Sequence, residues 1–320
     1  MLIEEINEYN FLEKNEEGRK RVEEKLKQID RQFKNGQINW NSFYDPTVWA
    51  YKVLKDKEGN PLVLRGFQDK MLNDKHRFKH VTAANQIGKT WAAGIIDGIH
   101  HAVHVNNASV MMISSMEGQG IGILDEIKWT LKRGRISFDT IVGDVDNRTE
   151  FHVYNPDKIG VSVIRAFPPT KAILSFPATK IIMDETGFWE KIGDLTPKEF
   201  YDQCVEPRTN ATKNWKKACI CGVPNCGHFT MGQITSITNP NGEQGLAYEL
   251  ETDERYHTYH YCWLANPENK IEEYLFHKKR LAPYRFASVY AATYMSPEGG
   301  FITLYQYNAF AKHNHDLILP

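Results

Sequence analysis

The stretch HVTAANQIGKTWAAGIIDGIHHAV, residues 80–103, decides the fold of this chain. Its centre, Gly88-Lys89-Thr90, matches the end of the phosphate-loop pattern G-x-x-x-x-G-K-[ST], although Ala83 stands where that pattern has its first glycine. An apolar strand is predicted before the loop and an amphipathic helix after it. A helix N-terminus directs unpaired N–H groups at an anion, so this context predicts a phosphate site rather than a chance tripeptide.

A second pattern, KIIMDE at residues 180–185, places two acids at the end of an apolar strand. We expect Lys89 to contact the β- and γ-phosphates of ATP and Thr90 to offer its hydroxyl to Mg²⁺. Asp184 would hold Mg²⁺ directly or through water, and Glu185 would polarise the water that attacks the γ-phosphate. Each motif alone is weak, but the two together predict an ATP-hydrolysing site.

The hydrophobic pattern predicts strands that alternate with helices, which is typical of a parallel α/β sheet. The predicted strands are 78–84, 108–115, 180–185 and 231–240, and the predicted helices are 89–103 and 120–134. Three short strands, FHVYN, VSVIRAF and AILSFP, are predicted within residues 136–179 without a clear order. Residues 53–68 are predicted to form two short strands around a turn, and a helix is predicted after Gly66.

Composition places the chain among globular proteins. It has 320 residues, a hydrophobic content of 41% and a net charge of −1, which gives no global electrostatic argument for nucleic-acid binding. No apolar run reaches the roughly 18 residues of a membrane span, and the acidic N-terminus lacks the features of a secretion signal. A cytosolic location is therefore expected. An apolar stripe within residues 18–34 predicts a helix that packs on the domain body or binds a partner.

Three cysteines fall within eight residues, in CICGVPNCGH at 219–228. Cys219, Cys221, Cys226 and His228 supply four ligands, the number that a structural zinc ion uses. In a cytosolic chain such clustering favours a metal over disulfides. The spacing departs from the common C-x2-C pairs, so a loop with incidental thiols remains the alternative. Cys204 and Cys262 are expected in the core.

The segments LRGFQ, AANQIGKT, IIMDET and ITSITNPNG occur in the order found in large terminase subunits, and the chain resembles that family over roughly residues 50–320. These are the DNA-packaging ATPases of tailed double-stranded DNA viruses. The loop variant without the first glycine is familiar in the family. The resemblance implies an α/β fold, a P-loop NTPase of the ASCE type with a mostly parallel central sheet flanked by helices.

The resemblance also implies roles for individual residues. Gln68 would read adenine, Lys89 and Glu185 would be catalytic, and Thr238 would couple hydrolysis to movement. Asp184 and Thr90 would be the magnesium ligands. The residues expected to contact the nucleotide are Arg65, Gln68, Ala84, Asn85, Gln86, Ile87, Gly88, Lys89, Thr90 and Trp91.

Two departures from the family pattern change the expectations. Many terminases place an arginine in the phosphate loop, where this chain has Asn85, so an arginine finger is expected from elsewhere or from a neighbouring subunit. The candidates are Arg133, Arg135, Arg148, Arg165 and Arg208. The clustered aspartates of the family's nuclease are also missing after Asn241, so DNA cleavage is not expected from this chain.

The expected organisation is an N-terminal helical segment at 1–45, an ATPase domain at 46–300 with a zinc-knuckle insertion at 210–230, and the start of a linker at 301–320. The implied partners are double-stranded viral DNA, the portal protein of the procapsid, the small terminase subunit and further copies of the chain in a ring on the portal. No membrane partner is expected. The implied location is the host cell cytoplasm and not the mature virion. The cofactors would be ATP, Mg²⁺ and one structural Zn²⁺.

Two other functions remain open at this point. A helicase-like or other nucleic-acid-stimulated ATPase would use the same core, but it usually needs a second core domain, and residues 245–320 are too few for one. A regulatory nucleotide-binding module that does not hydrolyse ATP is disfavoured by the presence of Lys89, Asp184 and Glu185.

Overall fold

The computed structural model describes residues 8–37, 39–135, 142–155, 160–215 and 218–295. The predicted linker at 301–320 lies outside these residues. The described part is built on one eight-stranded sheet with the order β3-β4-β5-β2-β6-β7-β1-β8. The strands are β1 (Phe78–Ala83), β2 (Ser109–Ser114), β3 (Val142–Asp146), β4 (Glu150–Tyr154), β5 (Val161–Phe167), β6 (Lys180–Asp184), β7 (Gln233–Thr238) and β8 (His257–Tyr261).

The sheet is parallel from β5 to β8, and an antiparallel extension of β4 and β3 continues it at one edge. Every residue of β1, β6 and β7 is buried, which is expected of parallel strands covered on both faces. β7 lies between β6 and β1. The predicted mostly parallel sheet, with helices on both faces, is confirmed.

Helices cover the sheet, and in the described part of the chain three α-helices come before β1. A π-helical turn at Thr90–Ile96 leads directly into α4, so one continuous helix leaves the phosphate loop. The α-helices are α1 (Glu8–Lys34), α2 (Pro46–Val53), α3 (Gly66–Asn73), α4 (Asp97–His104), α5 (Glu117–Lys132), α6 (Pro197–Phe200), α7 (Gly245–Thr252), α8 (Ile271–Arg280) and α9 (Pro283–Phe286).

The N-terminal helix α1 packs on the domain body. Val22, Leu26 and Ile29 of its apolar stripe are buried. On the same helix, the Lys25 ammonium lies 2.6 Å from a carboxylate oxygen of the buried Asp69 in α3. The apolar stripe of α1 is therefore covered by the rest of the chain.

Two predictions about strands were wrong, and β3 and β8 were not predicted. Residues 53–68 form a single bridge between Lys55 and Pro61, because proline has no N–H to extend a ladder and α3 begins soon afterwards. AILSFP begins within a 3₁₀-helix at Lys171–Ser175, in which Ile173 alone is buried. β8, with the sequence HTYHY, was not predicted, since its histidines and tyrosines hide the apolar alternation.

Among the described residues, none of the helices combines the length and apolar character needed to cross a bilayer.

Candidate functional site: a phosphate loop facing two acids

The carboxyl ends of β1, β7 and β6 lie side by side, because these strands are adjacent and parallel. The loop after β1 is the predicted phosphate loop. The residues after β6 are the predicted acids, and those after β7 are the predicted coupling motif. Ligand sites in open α/β sheets form at this edge. Three motifs that are far apart in sequence are thus brought to one place.

The phosphate loop is fixed by its backbone. Gly88 has φ +88° and Gln86 has φ +57°, so the chain turns twice through the left-handed region. Ala83 is fully buried at the end of β1, where its methyl group is accommodated. The N–H of Asn85 donates to Val289 O at 3.0 Å, which ties the loop to the segment after α9.

Lys89 is buried at the start of the helix. Its Nζ donates to Asn239 Oδ1 at 2.6 Å and lies 3.8 Å from Glu185 Oε1. Burial lowers the pKa of the Lys89 ammonium, and the carboxylates of Glu185 and Asp184 oppose that shift. Lys89 Nζ thus lies between an amide oxygen and a carboxylate at the mouth of the loop, where it can meet a phosphate.

Thr90 and Asp184 are joined across the site, since Thr90 Oγ1 donates to Asp184 Oδ1 at 3.0 Å. Burial, and next the negative charge of Glu185, raise the pKa of Asp184 to about 7. The indole Nε1 of Trp189 donates to Asp184 O at 3.0 Å and fixes the strand end. A hydroxyl and a buried carboxylate in contact are oxygen donors of the kind that Mg²⁺ selects.

Glu185 has φ +54° and ψ +39°, a left-handed conformation that non-glycine residues seldom adopt. Such strain costs about 1–3 kcal/mol and is common at functional sites. The conformation separates the two acids, because Asp184 stays buried at the strand end while Glu185 lines the open pocket.

The pocket has a volume of about 570 Å³. It brings together seven of the residues predicted from the sequence, namely Asn85, Gln86, Gly88, Lys89, Thr90, Trp91 and Glu185. Three further lining residues, Trp263, Val289 and Tyr290, were not predicted. They come from the segment after β8, whose sequence carries no phosphate-site motif.

Arg65 and Gln68 lie beside this pocket and line a neighbouring cavity of about 800 Å³ that shares Trp91 with it. Gln68 is buried; its Oε1 accepts from Arg65 N at 2.9 Å and its Nε2 donates to Gly88 O at 3.1 Å. The amide thus supports the phosphate loop directly. Adenine recognition by Gln68 stays a prediction.

Ala84 and Ile87 are fully buried, so their side chains do not reach the pocket.

Thr238 Oγ1 accepts from Gly187 N at 2.9 Å and so links the end of β7 to the segment after Glu185. Asn239 was not predicted as a site residue. It holds Lys89 and also donates from Nδ2 to Ala83 O at 2.7 Å. Its position directly after Thr238 in TNPNG was the available signal.

The predicted zinc ligands also meet, at a second place. The ligand atoms of Cys219, Cys221, Cys226 and His228 all lie within 4.8 Å of one another. As predicted, Cys204 and Cys262 are buried.

Three arginine-finger candidates make contacts within the chain. Arg133 pairs with Glu126, Arg165 pairs with Glu150, and Arg208 donates to Leu174 O. Arg135 follows α5 and Arg148 lies in the turn between β3 and β4; both are exposed.

No protein-family model matches this chain, and no curated protein matches it. Solved structures do. The large terminase ATPase domain of Thermus phage P74-26 is similar with a TM-score of 0.51 and 14% identity, over 71% of this chain and 92% of that domain. The large terminase of bacteriophage HK97 is similar with a TM-score of 0.58 and 12% identity, over 78% of this chain and 55% of that protein. We conclude that this chain has the P-loop fold found in large terminase ATPase domains.

Proposed function

We propose that this chain is the ATP-hydrolysing motor portion of a viral large terminase, which drives double-stranded DNA into a procapsid. The observation that carries the proposal is the contact between Thr90 and Asp184 at 3.0 Å, with Lys89 and Glu185 in the same pocket. An ATP-hydrolysing site needs four groups: a cation that binds phosphate, a hydroxyl and a carboxylate that bind the metal, and a carboxylate that orients the attacking water.

The loop binds the triphosphate of ATP through backbone N–H groups and the N-terminus of the continuous helix. Lys89 moves its hydrogen bonds from Asn239 Oδ1 to the β- and γ-phosphate oxygens. The buried lysine carries little hydration, so its charge acts strongly on a phosphate.

Thr90 and Asp184 are the residues that would hold Mg²⁺. When bound, the ion neutralises charge on the phosphate oxygens and favours the ionised form of Asp184. The raised pKa of that carboxyl reflects a buried acid beside a second acid, an arrangement that a cation would stabilise.

Glu185 orients the attacking water and accepts its proton. Its left-handed backbone places the carboxylate toward the open pocket, 3.8 Å from the Lys89 ammonium. The carboxylate is half-buried, so water reaches it. General-base groups of this kind contribute about 10²–10⁴-fold to a rate.

Coupling to movement follows the chain from Glu185 to Gly187 and across to Thr238 and Asn239. Gly187 N donates to Thr238 Oγ1, and Asn239 contacts the phosphate-loop lysine. A change at the γ-phosphate can therefore reach β7 through two contacts, Gly187 with Thr238 and Lys89 with Asn239. This arrangement supports Thr238 as the coupling residue and adds Asn239 to the coupling motif.

The assembly that we propose follows from likeness of fold. It is a ring of this chain on the portal of the procapsid in the host cytoplasm, with double-stranded DNA and the small terminase subunit as partners. The turn that carries Arg148 lies at the same edge of the sheet as the site, since Glu150 pairs with Arg165 near the end of β5. It lies at the far side of the sheet from β1, so we favour Arg148 as a finger that enters the site of a neighbouring subunit.

ATP turnover by the purified chain, with and without double-stranded DNA, tests the proposal. We expect Mg²⁺-dependent hydrolysis that DNA stimulates and that Lys89→Ala abolishes together with tight ATP binding. Lys191→Ala, at an exposed lysine after the acids, is the matched control and should behave as wild type. ATP binding without any turnover would favour a regulatory module, and stimulation by single-stranded nucleic acid alone would favour a helicase-like enzyme.

A further inference from the structure

The loop before β7 gathers four metal-ligating side chains, of which Cys219 is buried and Cys221, Cys226 and His228 are half-buried. Cys219 Sγ and His228 Nδ1 are 3.6 Å apart, and the ligand atoms of Cys221 and Cys226 join them, with every pair within 4.8 Å. None of the chain's five cysteines is in a disulfide. The cluster lies outside the ATP pocket, and the proposed motor function does not use it.

The spacing of the ligand atoms fits a tetrahedral zinc ion. Bonds of about 2.3 Å to sulfur and about 2.0–2.1 Å to nitrogen place the ligand atoms of such a site roughly 3.5–3.8 Å apart. The four ligand atoms, all within 4.8 Å of one another, lie close to that spacing. Three thiolates and one imidazole are also a set that selects zinc over magnesium or calcium.

The backbone of the loop is shaped for this convergence. Gly222 and Gly227 have φ values of +71° and +74°, and Asn225 has φ +53°, so the chain turns back on itself between the ligands. Val223 at the tip of the turn is 56% exposed, so apolar burial contributes little there. A metal ion at the centre would supply cohesion of the kind that a hydrophobic core gives elsewhere.

The cluster sits against the far end of the helix that begins at the phosphate loop. Cys219 forms a bridge with Val105, and Ile220 N donates to His104 O at 3.0 Å. On its other side, the His228 ring stacks on Tyr44 with 3.9 Å between ring centroids. The loop thus contacts both the end of α4 and the segment that leads into α2.

We propose that Cys219, Cys221, Cys226 and His228 bind one structural zinc ion, which fastens this loop to the end of α4 and to Tyr44. All four positions of the metal are filled by protein, which leaves no open position for a substrate. The role is therefore structural: the ion orders the loop and so supports the helix at the end opposite to the phosphate loop.

The test is metal content of the protein purified without chelators. Wild type should carry about one zinc per chain, and Cys226→Ser should lose it. Cys204→Ser is the matched control, because this buried cysteine lies outside the cluster. It should retain about one zinc even where the change in the core lowers its melting temperature, so zinc content and stability are separated.

A second measurement keeps the proposal testable if Cys226→Ser does not fold. Chelation of wild type followed by addition of Co²⁺ should give the thiolate charge-transfer and intense visible bands of a tetrahedral cobalt site, and zinc should displace them. Zinc-free wild type whose added Co²⁺ gives no such bands overturns the proposal. Iron in place of zinc, oxidised thiols in the native protein, or zinc retained by folded Cys226→Ser would each overturn it as well.

Discussion

The carboxamide of Asn239 joins the phosphate-loop lysine to the end of β1. It accepts from Lys89 and donates to Ala83 O, and both partners are buried. A buried polar group left without its partner costs about 1–3 kcal/mol. The Asn239 amide therefore both stabilises the folded chain and positions Lys89.

Asn239→Ala should lower the free energy of unfolding of the nucleotide-free chain by about 1–3 kcal/mol, as measured by urea unfolding. Asn241→Ala is the control, because this nearby asparagine is exposed and donates to Gly187 O. Its effect should stay within about 0.5 kcal/mol. Equal losses in the two variants would show that Asn239 does not have the role assigned to it.

His80 is a second buried residue, and its titration makes the stability of the chain depend on pH. It is fully buried in β1, and burial lowers its pKa to about 4, against a smaller opposing effect of Glu251. Burial also lowers the pKa values of His100 and His101. An unfolded histidine takes up its proton near pH 6.5, whereas native His80 does so only near pH 4. The unfolded chain binds more protons in that window, so stability falls as pH decreases through it.

We therefore expect the free energy of unfolding to be lower at pH 5 than at pH 7 in denaturant titrations. His80→Gln should reduce that difference, because one of the groups that titrates only on unfolding is gone. His76→Gln, at an exposed histidine just before β1, should leave it unchanged. An identical pH dependence in wild type and His80→Gln would contradict the assignment.

At the scale of elements, the phosphate loop depends on a glycine that no other residue replaces. A Cβ on Gly88, whose φ is +88°, would lie 3.0 Å from Gln68 Nε2 and 3.3 Å from Arg65 Nη1. Alanine is strained in this conformation, and its Cβ would require the Gln68 amide and the Arg65 guanidinium to shift by a few tenths of an ångström.

Gly88→Ala should weaken ATP binding at least tenfold, as measured by calorimetric titration, while the chain stays folded. Gly122→Ala is the control, since a Cβ on this exposed glycine in α5 has no atom within 4 Å. It should bind ATP normally and gain about 0.5–1 kcal/mol from higher helix propensity. Unchanged affinity in Gly88→Ala would show that the loop does not bind the nucleotide as described.

The elements also show what the sequence could and could not predict. β1, β2, β6 and β7 were predicted as apolar runs, and β4 and β5 were predicted as FHVYN and VSVIRAF. β1, β6 and β7 also end in a motif, so hydrophobicity and chemistry agreed there. β8 and the pocket residues Trp263 and Tyr290 were missed, because their places depend on packing between distant segments. Asn239 was missed because an asparagine before proline reads equally well as a turn residue.

At the scale of the whole molecule, a site without an arginine in its loop predicts activity that depends on assembly. Arg148 is exposed at the site edge of the sheet but several strands away from Lys89. Because Arg148 lies far from the ATP site of its own chain, we expect it to enter the site of a neighbouring subunit. An arginine finger is worth about 10³–10⁵ in rate where one is used.

Specific ATPase activity should rise with protein concentration, and Arg148→Ala should lose most of it. Mixing Arg148→Ala with Glu185→Gln should restore turnover, because one variant keeps the base and the other supplies the arginine. Arg135→Ala is the control and should keep its activity. High activity in a demonstrably monomeric sample, independent of concentration, would refute a finger supplied by a neighbour.

The most direct test of the central claim, that this pocket hydrolyses ATP, compares binding and turnover in Glu185→Gln. We predict ATP affinity close to wild type and a kcat lowered about 10²–10⁴-fold, because the carboxylate acts on the attacking water and contributes little to ground-state binding. Glu190→Gln, an exposed glutamate five residues further along, should keep both values. Wild-type turnover in Glu185→Gln would contradict the account.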